Sequence, residues 1–83
     1  MKVLEVVTSP YFGEVEKVNI QSGDYVYEWA TLVDIKQPNG ELKQVSIAVS
    51  GIIEDIKVEE GEKVTPGKVL VFIEDDLKIT GTD

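Results

Sequence analysis

The sequence predicts an all-β domain, a flattened barrel or sandwich of two four-stranded antiparallel sheets with approximate two-fold symmetry. Three observations predict it. A repeat at an offset of 38 residues lays 3–38 over 41–76, with nine of the 36 aligned pairs identical. Within each half, apolar residues alternate with polar ones, the period of a half-buried strand. No 11-residue window carries a 3.6-residue apolar period, so helix is not expected. Two equivalent four-stranded halves, each with one apolar face, are expected to bury those faces against each other.

The elements follow in chain order, each met twice. An alternating run, Val7, Ser9, Tyr11 in the first half and Val45, Ile47, Val49 in the second, reads as a strand that Gly13 or Gly51 then breaks. Val15, Val18 and Ile20, like Ile53, Ile56 and Val58, form a second strand whose phase slips once, as at a bulge. Gly23-Asp24 and Gly61-Glu62 supply turns, and the apolar runs 31–35 and 69–73 close the halves. Between the halves lies Pro38-Asn39-Gly40, where Asn-Gly favours a type I′ hairpin turn. The domain is expected to span 1–76, and residues 77–83 either add a short edge strand or fray.

Composition narrows the function. The chain has 83 residues, room for one domain, and its 42% hydrophobic and 29% charged content suits a folded protein rather than a disordered one. Cysteine and histidine are both absent, which excludes disulfides, thiolate nucleophiles, Cys/His zinc sites and imidazole bases. No carboxylate pair or Ser-Lys spacing suggests catalysis, so an enzyme is not expected. The net charge is −8 and every positive side chain is a lysine; such a surface disfavours nucleic acid and anionic membranes as partners. Glu74-Asp75-Asp76 reads as a solvated acidic run rather than a metal site. The opening Met1 to Val7 lacks the apolar run of a signal peptide, and no stretch approaches the roughly 20 apolar residues of a membrane span. A cytoplasmic location is the expectation.

The second half, from Val49-Ser50-Gly51 through Glu60-Gly61-Glu62-Lys63-Val64-Thr65-Pro66-Gly67 to Leu70 and Glu74, resembles the closing half of a biotinyl/lipoyl carrier domain. With a looser first half, the resemblance covers residues 3–76. It implies two four-stranded sheets about a pseudo-dyad, and a hairpin between the halves whose tip lysine takes biotin or lipoate from a ligase. Here that stretch is Ile35-Lys36-Gln37-Pro38-Asn39-Gly40-Glu41-Leu42-Lys43. Counting forward from Ile35 places the acceptor at Asn39, and counting back from Gly51 places it at Gly40. Neither side chain can attack an acyl-adenylate, so no cofactor is expected. The alternative is covalent biotin or lipoate on Lys36 or Lys43, which flank the turn and are expected to neighbour each other across the strands or to pair with Glu41. Otherwise they are solubilising charge.

Trp29 stands where the second half has Gly67 and the family usually has glycine, so the first half is expected to turn differently there. Trp29 has two readings. In one it caps an open barrel end over the core; in the other it joins Tyr11, Tyr25 and Tyr27 in a partner-binding patch, since Tyr and Trp supply much interface energy. The favoured function is a non-enzymatic biotinyl/lipoyl-like domain without the tip lysine, binding a protein not identifiable from sequence. The alternative is a carrier subunit of a carboxylase or acyltransferase. Third comes a resemblance to barrel-sandwich modules of efflux adaptors, which carry a long helical hairpin between the half-motifs that Ile35–Lys43 does not contain.

Overall fold

The computed structural model describes residues 3–75, and they form eight strands and no helix. These are β1 (Val3–Thr8), β2 (Gly13–Val18), β3 (Tyr25–Val26), β4 (Thr31–Lys36), β5 (Leu42–Ser46), β6 (Gly51–Ile56), β7 (Lys63–Val64) and β8 (Val69–Asp75). They make two four-stranded sheets, β1-β8-β6-β3 and β5-β4-β2-β7, with every neighbouring pair antiparallel. The architecture is the expected one in class and strand number. Asp76 and the edge strand or fraying end considered for 77–83 lie outside the described residues.

The expectation that each half stacks as a unit on the other is corrected. The first half sends β1 and β3 to one sheet and β2 and β4 to the other; the second half does the same with β6 and β8, and with β5 and β7. The halves are therefore interlocked, and neither has a complete sheet of its own. The bonding pattern is unchanged when the halves are exchanged. Gly23 N donates to Ile53 O as Gly61 N does to Val15 O, and Asn19 N to Leu32 O as Lys57 N does to Leu70 O, all within 2.8–2.9 Å.

The core obeys the same exchange. Its buried apolar residues are the pairs Val7/Val45, Val15/Ile53, Ile20/Val58, Val26/Val64, Leu32/Leu70, Val33/Val71 and Ile35/Ile73, each 38 residues apart. The apolar runs of β8 and, broken only by Asp34, of β4 suit central strands flanked by neighbours on both edges. The phase slips in β2 and β6 are bulges, with the register shifting between Val15 and Lys17 and between Ile53 and Asp55. Gly13 and Gly51 open those strands where a neighbouring chain passes close by. A Cβ on Gly51 would run into the carbonyl oxygen of Glu74, and one on Gly13 into that of Lys36.

Candidate functional site

The β4–β5 hairpin closes by backbone bonds at its tip. Gly40 N donates to Gln37 O and Gln37 N to Glu41 O, both at 2.8 Å, and Glu41 N donates to the Asn39 Oδ1 at 2.9 Å. Gly40 has φ 90°, whereas Asn39 is not among the residues with positive φ. The turn is therefore not type I′, which requires positive φ at both central residues. It is a three-residue loop, Pro38-Asn39-Gly40, in which Pro38 takes the first central position of a type I turn and Gly40 supplies the left-handed bulge. The proline, with its fixed φ, decides the turn and moves its centre one residue back.

Register separates the two flanking lysines. Lys36 lies opposite Leu42 and Lys43 opposite Ile35. Residues directly opposite share a face and successive residues alternate, so Lys36 is on the solvent face with Leu42, and Lys43 is on the face of buried Ile35. They are not neighbours across the strands as expected. The expected pairing with Glu41 holds for Lys43, whose Nζ lies 3.6 Å from the Glu41 Oε2 and 5.9 Å from the ring centre of Tyr11. Tyr11 is partly buried against the core, and its backbone is held by buried Ser9, whose Oγ donates to Tyr11 O and accepts from Tyr11 N. Lys36, Phe12, Pro38, Lys63 and Lys68 line a cleft of about 630 Å³ beside the tip.

The other expected aromatics gather at the opposite end of the strands. Tyr25 pairs with Ile52, and Trp29 N donates to Ile47 O at 2.8 Å, just beyond the end of β5 away from the tip. The rings of Tyr25 and Tyr27 meet edge to face, 5.1 Å apart and at 76°. Tyr11, with its contacts to Ser9 and Lys43, belongs to the tip end, so the four-residue patch resolves into Tyr25, Tyr27 and Trp29.

Trp29 differs from both expectations about its backbone and its cap role. Its φ is 67°, alongside 94° for Gly67. Trp29 N bonds Ile47 O as Gly67 N bonds Ser9 O, and Ala30 N bonds Tyr27 O as Lys68 N bonds Thr65 O. The two turns share one geometry, and tryptophan simply occupies the glycine conformation. Its side chain is 68% exposed and that of its neighbour Tyr27 72%. It does not cap the core.

Two carboxylates are held below their usual range. The backbone N–H of Glu59 and then the Lys68 ammonium, 3.2 Å away, lower Glu62. The Lys57 ammonium, bonded at 2.8 Å, lowers Asp55. Both are surface groups with ordinary structural partners. Glu62 repeats Asp24, whose Oδ2 accepts the Gln21 N–H as Glu62 accepts that of Glu59. Among the described residues no group of three Asp and Glu is placed to hold a metal ion, and no helix is long and apolar enough to cross a membrane.

The sequence reading passed over Leu4, Ile52 and Phe72, which share an outward face with Tyr25. The repeat held the signal. Ile52 aligns with Glu14, Phe72 with Asp34 and Tyr25 with Lys63, while Leu4 aligns with Leu42, so three of these four outward positions are apolar in one sheet and charged in the other.

The fold is similar to part of the urea carboxylase of Kluyveromyces lactis, known from a crystal structure. The TM-score is 0.79 at 24% identity over 86% of this chain, which spans only 6% of that enzyme's length. At such identity the likeness concerns the fold alone. No family model and no curated protein matches the chain.

Proposed function

We propose that this chain is a biotinyl/lipoyl-like domain that binds protein and carries no prosthetic group. The observation that carries the reading is Trp29. A bulky residue at positive φ is an outlier, and strain of this kind persists where surrounding structure enforces it, often at functional positions. Glycine serves the same turn in the other half without strain, and an indole 68% exposed adds little to the core. Neither backbone nor packing calls for tryptophan, whereas a partner surface does. The tip supports the same reading: Asn39 and Gly40 offer no amine, and Lys43 is engaged with Glu41. A cytoplasmic setting goes with this reading.

The test is capture of a partner from an extract of the native host by immobilised full-length chain. Trp29→Gly paired with Tyr27→Ala is expected to abolish capture, while Lys36→Gln and Lys43→Gln leave it intact. Capture that survives the aromatic variants and is lost with the lysines would overturn the proposal.

A second reading is a carrier modified on Lys36 or Lys43. Its support is that a protein with a similar fold is a carboxylase, the class of enzyme that biotin carriers serve. Lys36, exposed on the outer face, is the better placed of the two amines.

A further inference from the structure

The few cations of this acidic chain are unevenly placed. Its eight positive side chains, all lysine, stand against 16 carboxylates, yet Lys36, Lys63 and Lys68 all line the cleft of about 630 Å³ beside the hairpin tip. Among the described residues the only carboxylate lining that cleft is Glu14.

Strand order explains the convergence. In β5-β4-β2-β7, β2 lies between β4 and β7, so Phe12 to Glu14 form the middle of the cleft, with Lys36 to Pro38 on one side and Lys63 to Lys68 on the other. Glu14 pairs with Lys36 in one direction and with Lys63 in the other. The two lysine backbones are therefore two strand spacings apart, about 10 Å, and their long flexible stems allow both ammonium groups to reach one anion. Lys68 is engaged with Glu62 at 3.2 Å. Lys36 and Lys63 enter no ion pair among the described residues, not even with Glu14, so their charge is available.

The fold contains its own control. At the equivalent place in the other sheet, 38 residues away, Lys36 is replaced by Glu74, Lys63 by Tyr25 and Lys68 by Ala30. A cationic cleft is therefore not a requirement of the architecture.

The remaining lining sets the size and body of the occupant. Phe12, 57% exposed, and Pro38 offer apolar surface beside the lysine stems. The volume falls in the range of about 300–1,000 Å³ typical of small-molecule sites.

We infer that this cleft binds a small organic anion, a carboxylate carried on an aromatic or branched apolar body, with Lys36 and Lys63 holding the charge and Phe12 and Pro38 the body. The site is separate from the aromatic end at Trp29 and does not depend on the protein-binding reading.

The probes are naphthalene-2-carboxylate, its neutral carboxamide and acetate, added to the full chain and followed by amide signals in nuclear magnetic resonance. The naphthoate is expected to shift the amides of Phe12, Glu14 and Lys63 saturably, leave those of Tyr27 and Trp29 unmoved, and bind more weakly as salt rises. The carboxamide lacks the charge and acetate the body, so each is expected to bind about tenfold more weakly. Lys36→Gln and Lys63→Gln, at exposed positions without ion pairs, should each weaken the naphthoate about two- to fivefold, with the circular dichroism unchanged. Glu14→Gln should tighten it by a similar factor, because the variant removes the opposing charge. Lys43→Gln, whose ammonium is already engaged with Glu41, should leave it unaltered. Equal binding of carboxylate and carboxamide, equal binding of naphthoate and acetate, or weaker binding by the Glu14→Gln variant would overturn the inference. So would saturable shifts centred on Trp29 rather than on Phe12.

Discussion

Replacing Trp29 by glycine and, separately, by alanine isolates the backbone strain at that turn. Both variants remove the same indole, so its partial packing cancels between them. Alanine keeps the cost of an L-residue in the left-handed region, about 1–2 kcal/mol, at a position with φ 67°. Glycine avoids that cost but loses about 0.5–1 kcal/mol to the greater freedom of its unfolded chain. The glycine variant is therefore expected to be more stable than the alanine variant by about 0.5–1 kcal/mol. At an ordinary strand position the sign is opposite. In a domain of this size the difference corresponds to about 2–8 °C in Tm, measurable by far-ultraviolet circular dichroism, with urea m-values unchanged if the transition stays two-state. Against the parent, the lost packing of a side chain about one-third buried is at most about 2 kcal/mol, and relief of strain offsets much of it. An alanine variant as stable as the glycine variant would refute the left-handed assignment. Loss of cooperative unfolding in both would restore Trp29 as a core cap.

Other expectations follow from the same geometry. Gly51→Ala is expected to cost about 2–4 kcal/mol, because the new methyl group meets the Glu74 backbone and parting β6 from β8 sacrifices several hydrogen bonds at about 1 kcal/mol each. Gly40→Ala faces open space at φ 90°, so urea unfolding should register only the left-handed cost less the gain from a stiffer unfolded chain, a net loss of about 0.5–1 kcal/mol. Ser9→Ala removes a buried hydroxyl that bonds Tyr11 twice, and is expected to cost about 1–3 kcal/mol in thermal unfolding. The Glu62 carboxylate is held low by the Glu59 N–H and Lys68. Its stabilisation is complete above the ordinary glutamate pKa of about 4.3, and is lost as pH falls through the lower folded value. Glu62→Gln should therefore flatten the acid limb of the stability curve, followed as the urea midpoint from pH 6 downward.

The core was legible because the repeat and the alternation are consequences of burial itself: each buried apolar residue has its partner 38 positions away. The bulges showed in the phase slips after Val15 and Ile53 for the same reason. The interlocking of the halves was not legible. Alternation tells which face of a strand is buried, but not which half provides its neighbour. At the tip, Asn39-Gly40 taken alone suggested a type I′ turn, and the adjoining Pro38 sets the geometry instead. Lys36 and Lys43 are close in sequence to one turn, yet strand register puts them on opposite faces. The turn at Trp29 was misjudged because local preference assigns such a conformation to glycine, whereas the bond from Trp29 N to Ile47 O and that from Ala30 N to Tyr27 O close the turn with tryptophan in it. The outward apolar positions Leu4, Ile52, Phe72 and Tyr25 escaped notice because they come from four separate strands.

The proposed reading, a biotinyl/lipoyl-like domain without a prosthetic group, is tested most directly by the intact mass of the denatured protein purified from its native host. The expected mass is that of the unmodified polypeptide. A biotin or lipoate adduct mapping to Lys36 or Lys43 would contradict it.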